Sequence, residues 1–273
     1  MKTLAGPIVL AAFALLGVVM IVVAMLLPGT PPLPQDGAGT TANGAVADGS
    51  AAPSGAPAST DGAQRVATQA SPEQRLLEAA ATQDRSGVEA ALADAADANA
   101  VIDAQTASGL AIEGHELGTS ALMLASGSGD ARMVALLLAA DADANLESES
   151  ARTALMHAAG GGHTDAAIAL LGAGADAGAR TVEGRSALML AARAGAADLC
   201  GVLLEAGTNP DMADVDGVTA LMHAADGRHL DAVVVLLGAG ADPLATDARG
   251  RTALDRAGEA GAIAQVIREA SGG

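Results

Sequence analysis

Residues 152–176 read R-T-A-L-M-H-A-A-G-G-G-H-T-D-A-A-I-A-L-L-G-A-G-A-D. Two short apolar runs, 154–159 and 166–171, are separated by glycines and closed by a Gly-Ala-Asp turn. A unit this short cannot bury its own apolar faces, so it requires a copy of itself on each side. The copies are present. Leu155 recurs as Leu122, Leu188, Leu221 and Leu254, each 33 residues from the next.

Other places keep the same period. Two residues before the leucine stands a hydroxyl (Ser120, Thr153, Ser186, Thr219, Thr252), suited to cap the helix that begins next. Four residues before it stands glycine (Gly118, Gly184, Gly217, Gly250), as a turn of unusual backbone angle requires; Ala151 breaks the rule. Three residues after it is always alanine (Ala125, Ala158, Ala191, Ala224, Ala257), small enough to let neighbouring helices approach. Sixteen residues after it, on a second helix, come Leu138, Leu171, Leu204 and Leu237, and five further on Asp143, Asp176, Asn209 and Asp242. An earlier unit fits around Leu76, with Ala79, Val88, Leu92, Asp97 and Asn99 in register. Leu76 and Leu122 are 46 residues apart, which places a 13-residue insertion within 101–116. A last unit begins at Gly250 and runs out after its second helix at 267–270.

The ordered motifs T-A-L-M-H-A-A, G-H and G-A-G-A-D in a 33-residue helix–turn–helix unit resemble the ankyrin repeat. The resemblance covers about 200 of the 273 residues and six units. The family's T-P-L-H is here Thr153-Ala154-Leu155-Met156 and Thr219-Ala220-Leu221-Met222. Proline suits the first helical turn, and alanine is the best helix former. Methionine replaces the family's histidine in all four inner copies (Met123, Met156, Met189, Met222), so packing is expected to replace polar cross-links between units. The resemblance implies an all-α ankyrin-repeat solenoid over 71–271: about twelve short helices in a slightly curved stack, turns projecting from one side, each unit touching only its neighbours. Glu73, Gln74, Glu78, Asp84 and Arg85 should cap one end, and Arg256, Glu259, Arg268 and Glu269 the other.

Composition agrees. Phe13 is the only aromatic residue and Lys2 the only lysine, so the core must be built from Ala, Leu, Val, Ile and Met. A formal charge of −18 argues against a nucleic-acid partner, which requires clustered Lys or Arg. The single cysteine, Cys200, excludes an intramolecular disulfide; its place in the repeat is otherwise filled by Val134, Ala167, Val233 and Val266, so it reads as a core residue.

Residues 4–27 carry no charged side chain, and as a helix they would span roughly 36 Å, enough to cross a bilayer. The run is too long for a secretory signal, and a small-x-small site first appears only at 45–47, so an uncleaved signal anchor is expected. Lys2 stands before it and no basic residue follows until Arg65, which keeps the N-terminus cytoplasmic and sends the rest across. The expected localisation is the cell membrane, single-pass, with the C-terminal domain extracytoplasmic and periplasmic in a Gram-negative cell; the whole then resembles a bacterial, membrane-anchored ankyrin-repeat protein. Residues 28–70, rich in Pro, Gly, Ala, Ser and Thr, are expected to form a disordered linker with a span on the order of 35 Å.

Motifs that suggest chemistry fail in detail. Asp141-x-Asp143-x-Asn145 begins like a calcium loop, but Leu146 and Arg152 stand where glycine and glutamate are needed. Gly172-x-Gly174 and Gly238-x-Gly240 have no strand before them and read as helix-ending turns. His157 and His223 lie two units apart, about 20 Å at one helix-packing distance per unit, too far to share a metal. No catalytic triad is assembled by the repeats, so neither enzyme activity nor cofactor nor metal is expected. A groove decorated by Asp103, Glu113, His115 and Glu116 of the insertion is the only recourse for an enzyme.

What the resemblance implies is a protein–protein interaction module with an unidentified protein partner. Its variable exposed places map onto Glu149, Ser150 and Arg152, then Val182, Glu183, Arg185 and Arg193. Next come Val215, Asp216, Val218 and Asp226, then Ala248, Arg249 and Arg251, with His157 and His223 on the inner helices. An envelope chaperone or immunity factor shielding one enzyme or toxin would use the same surface.

Overall fold

The computed structural model describes residues 70–104, 115–258 and 261–272. The expected anchor (4–27), the linker up to residue 69, the middle of the insertion and Glu259 lie outside the described residues. No helix among the described residues is long and apolar enough to cross a membrane.

Twelve helices among the described residues form six successive pairs: α1 (Pro72–Ala81) and α2 (Arg85–Ala93), α3 (Ala121–Ser128) and α4 (Ala131–Ala139), α5 (Ala154–Gly161) and α6 (Thr164–Gly172), α7 (Ala187–Ala194) and α8 (Ala197–Glu205), α9 (Ala220–Asp226) and α10 (Leu230–Gly238), α11 (Ala253–Ala257) and α12 (Ala262–Ala270). No strand is present among them, only isolated bridges at Val101–Ser120, Arg180–Ser186 and Ala213–Thr219. The fold is all-helical.

Each first helix starts where the hydroxyl stands. Ser120, Thr153, Ser186, Thr219 and Thr252 accept from the backbone N–H three residues on, which removes one unsatisfied donor per helix. In the first unit Ser71 does this, and Gln74 closes a capping box by accepting from the Ser71 N–H at 2.9 Å. The capped helices bury Leu76, Leu122, Leu155, Leu188 and Leu221 completely. Met123, Met156, Met189 and Met222 are buried beside them. On the second helices the fully buried leucines are Leu137, Leu170, Leu203 and Leu236, one residue before the places expected; Leu138, Leu171, Leu204 and Leu237 are half-buried and pack from the edge.

Ala125, Ala158, Ala191 and Ala224 are wholly buried, and the first helices of successive units touch one another more extensively than the second helices do. Small side chains shorten the interaxial distance. The stack therefore bends toward its first helices, and that side is concave.

Two polar series join the units, so the expected loss of cross-links to packing is corrected. At the turn tips the N–H groups of Glu149, Val182, Val215 and Ala248 donate to the carbonyls of Leu117, Ser150, Glu183 and Asp216 in the unit before, at 2.8–3.1 Å. In the same connections, just after each second helix, Asn99, Asn145 and Asp211 each accept at 2.7 Å from the N–H of Asp143, Asp176 and Asp242 in the next unit. Asn99 and Asn145 also donate to the carbonyls of Asp141 and Gly174. The acid of the G-A-D turn meanwhile accepts from the N–H two residues on, which shapes the turn locally. Asp143 and Asn145 are spent in this way, and no group of three or more His, Cys, Asp or Glu among the described residues is placed to hold a metal. His163 and His229, the N-caps of α6 and α10, reach back with Nε2 to the carbonyls of Gly127 and Arg193 at 3.0 and 3.1 Å.

The ends differ from expectation in one respect. Arg256 is not part of an outward cap: its guanidinium is nearly buried and binds Asp226 and Asp247 of neighbouring turns and helices. The ends of the insertion are also fixed to the stack. Ile102 is buried, its N–H donates to Thr119 and its carbonyl accepts from Gly118.

Two substitutions follow from places where the repeat is imperfect. Gly178 stands where Asn99, Asn145 and Asp211 bridge, and it offers the Asn209 N–H nothing; a groove of about 580 Å³ lies there beside the buried, unpartnered Thr208 hydroxyl. Gly178→Asn should raise stability by about 1 kcal/mol in urea unfolding, the net value of one intramolecular hydrogen bond; an unchanged midpoint would contradict the bridging role. Ala151 has φ +57°, where its equivalents Gly118, Gly184, Gly217 and Gly250 have φ from +74° to +81°. Ala151→Gly relieves left-handed strain and should stabilise by up to about 1 kcal/mol after the added freedom of the unfolded chain is subtracted, measured the same way.

Candidate binding surface

The tips are five-residue turns built on a polar residue absent from the expected set. Ser148, Thr181, Asp214 and Asp247 recur every 33 residues, are buried, and accept from the N–H four residues on at 2.9–3.2 Å. Asp214 and Asp247 accept a second N–H two residues on. Their regular spacing was available in the sequence, but turn acids look like surface residues until the turn is closed. The backbone N–H of Arg251 and the guanidinium of Arg256, with burial opposing them, hold the Asp247 carboxyl well below the usual carboxylate range.

These turns set the expected residues in two groups. Glu149, Val182, Glu183, Val215, Asp216, Arg193 and Arg249 are exposed, the two valines at 64% and 70%. Arg152 and Arg185 are half-buried, their stems lying along the slope between tip and inner helix. Arg251 is exposed but tied to Asp247 at 2.9 Å, and Asp226 is tied to Arg256. Val218 is corrected: it is buried at 7%, with its N–H on Asp214 Oδ1 and its carbonyl accepting the Asp214 N–H. Arginine at the equivalent place carries its charge past the rim, whereas a valine side chain ends under it. Val218 belongs to the turn and presents nothing to a partner.

The two inner-helix histidines are half-buried floor residues. His157 lies between two grooves, one of about 470 Å³ bounded by Arg152, Leu190 and Arg193, the other of about 260 Å³ bounded by His115, Met123 and Leu124. Burial, helped by the Arg152 charge, pushes its pKa down to about 4 against the opposing pull of Glu116. His223 is lowered by burial as well, opposed by Asp214, whose Oδ2 lies 3.7 Å from His223 Nε2. A third groove of about 260 Å³ mixes both signs: Arg185, Arg249, Arg251 and Arg256 line it together with Asp214, Asp216, Asp247 and His223. Glu116 opens the face; partial burial of its carboxyl would raise its pKa, but hydrogen bonds from Ser148 and Ser150 and the Arg152 charge bring it below its ordinary value. Cys200 is buried on α8, remote from these grooves, and burial pushes its thiol up to about 11.

The His157 shift has a definite sign. The folded state holds the ring neutral down to about pH 4, while the unfolded chain protonates near 6.5. Its contribution to stability is complete above pH 6.5 and is lost as the pH falls toward 4, on the order of 3 kcal/mol in all. The melting temperature should therefore drop over that window, and His157→Gln should shrink the drop; an equal drop in the variant would show that His157 is not the group responsible.

The family model for ankyrin repeats (three copies) matches residues 76–181, 122–214, 169–247 and 188–270, which together run from 76 to 270. No curated protein sequence matches the chain. With the matched units coinciding with the six helix pairs, the chain belongs to the ankyrin-repeat family.

Proposed function

We propose that this chain is a membrane-tethered protein–protein interaction module that works on the extracytoplasmic side. Ankyrin repeats support the role of interaction module. The observation that carries it for this chain is the concave face: exposed Val182 and Val215 at adjoining tips, with Arg152, Arg185 and Arg193 on the slope beside them. An apolar centre ringed by arginine is the usual composition of a contact surface. The tethering rests on the uncharged run at 4–27, and the orientation on Lys2 against the absence of basic residues before Arg65. The linker composition of 28–70 is that of a flexible tether holding the repeats within tens of ångströms of the membrane.

A membrane-impermeant amine- and carboxyl-reactive crosslinker applied to intact cells tests both halves. A specific partner should be captured, and the triple variant Arg185→Ala/Arg193→Ala/Val215→Ala should lose it while melting as before. Capture only after lysis would refute the orientation, and unchanged capture by the variant would refute the surface. Loss of protection for a single stoichiometric enzyme or toxin would identify the module as an immunity or chaperone factor.

A further inference from the structure

The concave face carries buried nitrogens that the protein itself leaves without hydrogen-bond partners. Among the described residues, six buried side-chain polar atoms lack a hydrogen-bond partner: Arg85 Nε and Thr208 Oγ1 elsewhere, and His157 Nε2, Arg185 Nε, His223 Nε2 and Arg256 Nε. The last four line this one face, His157 in the first groove and the others in the groove at Arg185 and Arg249. Buried polar groups are ordinarily satisfied, and arginine nitrogens can only donate, so Arg185 Nε and Arg256 Nε mark the place of a missing acceptor. The charges agree. Several other arginines are paired, as Arg75 with Asp94, Arg85 with Asp130, Arg180 with the carbonyl of Gly184, and Arg251 and Arg256 with Asp247. The side chains of Arg152, Arg185, Arg193 and Arg249 make no ion pair among the described residues, on a chain whose formal charge is −18.

We propose that the concave face recognises an extended acidic peptide segment, one carboxylate entering the groove between Arg152 and Arg193 and another the groove between Arg185 and Arg249. This rests on the interaction-module reading and specifies the partner's chemistry. Arginine suits the task because its planar fork matches a carboxylate, and the pairing is strong where water is partly excluded. Asp214 and Asp247 also line the second groove, but they already accept from their own turns, and Asp247 is paired with Arg251 and Arg256. Glu149, Glu183 and Asp216 on the tips set the limit: carboxylates are accepted beside Arg185 and Arg249 and repelled at the rim, so the acids must be spaced and separated by apolar residues that meet Val182 and Val215. The grooves lie one to two units apart, about 10–20 Å at the usual helix spacing, which is about three to six residues of extended chain. The chain's net negative charge disfavours a uniform polyanion, whose charges extend beyond the roughly 8 Å over which salt leaves the local arginines dominant.

The probe is a fluorescein-labelled twelve-residue peptide with Asp-Glu pairs six residues apart and Leu and Val between them, read by fluorescence anisotropy with the full-length chain in detergent. It should bind at least tenfold more tightly than its Asn-Gln isostere. Arg152→Glu/Arg193→Glu and Arg185→Glu/Arg249→Glu should each weaken it at least tenfold with unchanged melting temperatures. Arg132→Glu/Arg228→Glu, outside both grooves, should leave it unaltered. Equal binding of the isostere, indifference to both groove variants, or tighter binding of inorganic polyphosphate would overturn the proposal. A partner captured by the crosslinker and retained by both groove variants would overturn it too, and would leave the interaction module standing. Peptide binding as expected with no partner captured in cells would instead remove the module reading and keep the chemistry.

Discussion

How closely one first helix can approach the next governs this molecule. Ala125, Ala158, Ala191 and Ala224 sit at that contact with no exposed surface. Their size draws the first helices together, while the leucines of the second helices hold the other side apart. Curvature, the concave face and the alignment of the tips all come from this difference. A larger side chain at any of the four would separate two units and flatten the surface on which both grooves lie.

Close approach by itself leaves rotation between units undetermined, because dispersion between apolar faces has little direction. The polar series supply it. One runs through the tip backbones and the other through Asn99, Asn145 and Asp211, while His163 and His229 join units at the far end of the helix pairs. Since the units contact only neighbours, stability is a sum of such interfaces, and a defect such as Gly178 weakens one interface and not the whole. The methionines that stand in place of the family's histidine thus add packing to a stack whose polar connections are made by other residues.

Internal satisfaction is least complete on the concave face, which holds four of the six unpartnered buried polar side-chain atoms among the described residues. Asp247 is saturated by Arg251 and Arg256, and Ser148, Thr181 and Asp214 by the turns they build. Two units earlier the same slope carries arginines with no internal partner and a histidine kept neutral by burial. Turn-forming acids and arginines without ion pairs alternate along one surface, so the groove at Arg152 and Arg193 is positive while the one at Arg185 and Arg249 sets arginines beside Asp214, Asp216 and Asp247.

By itself the sequence determined the repeat, its register, the caps at Ser120, Thr153, Ser186, Thr219 and Thr252, the buried alanines and the all-helical class. These are local or periodic properties, and a 33-residue period repeated five times states them redundantly. It also placed most of the surface correctly, since a tip residue such as Val182 or Glu183 is exposed in any stack of this unit. Only the tertiary structure decided that Val218 is buried while the arginines at its place emerge, that Leu137 and not Leu138 fills the core, and that Arg256 turns inward to Asp247. The physical reason is common to all three. Each depends on the rotation of one unit against the next, which no single unit encodes, and on where a side chain of given length ends relative to the neighbouring turn.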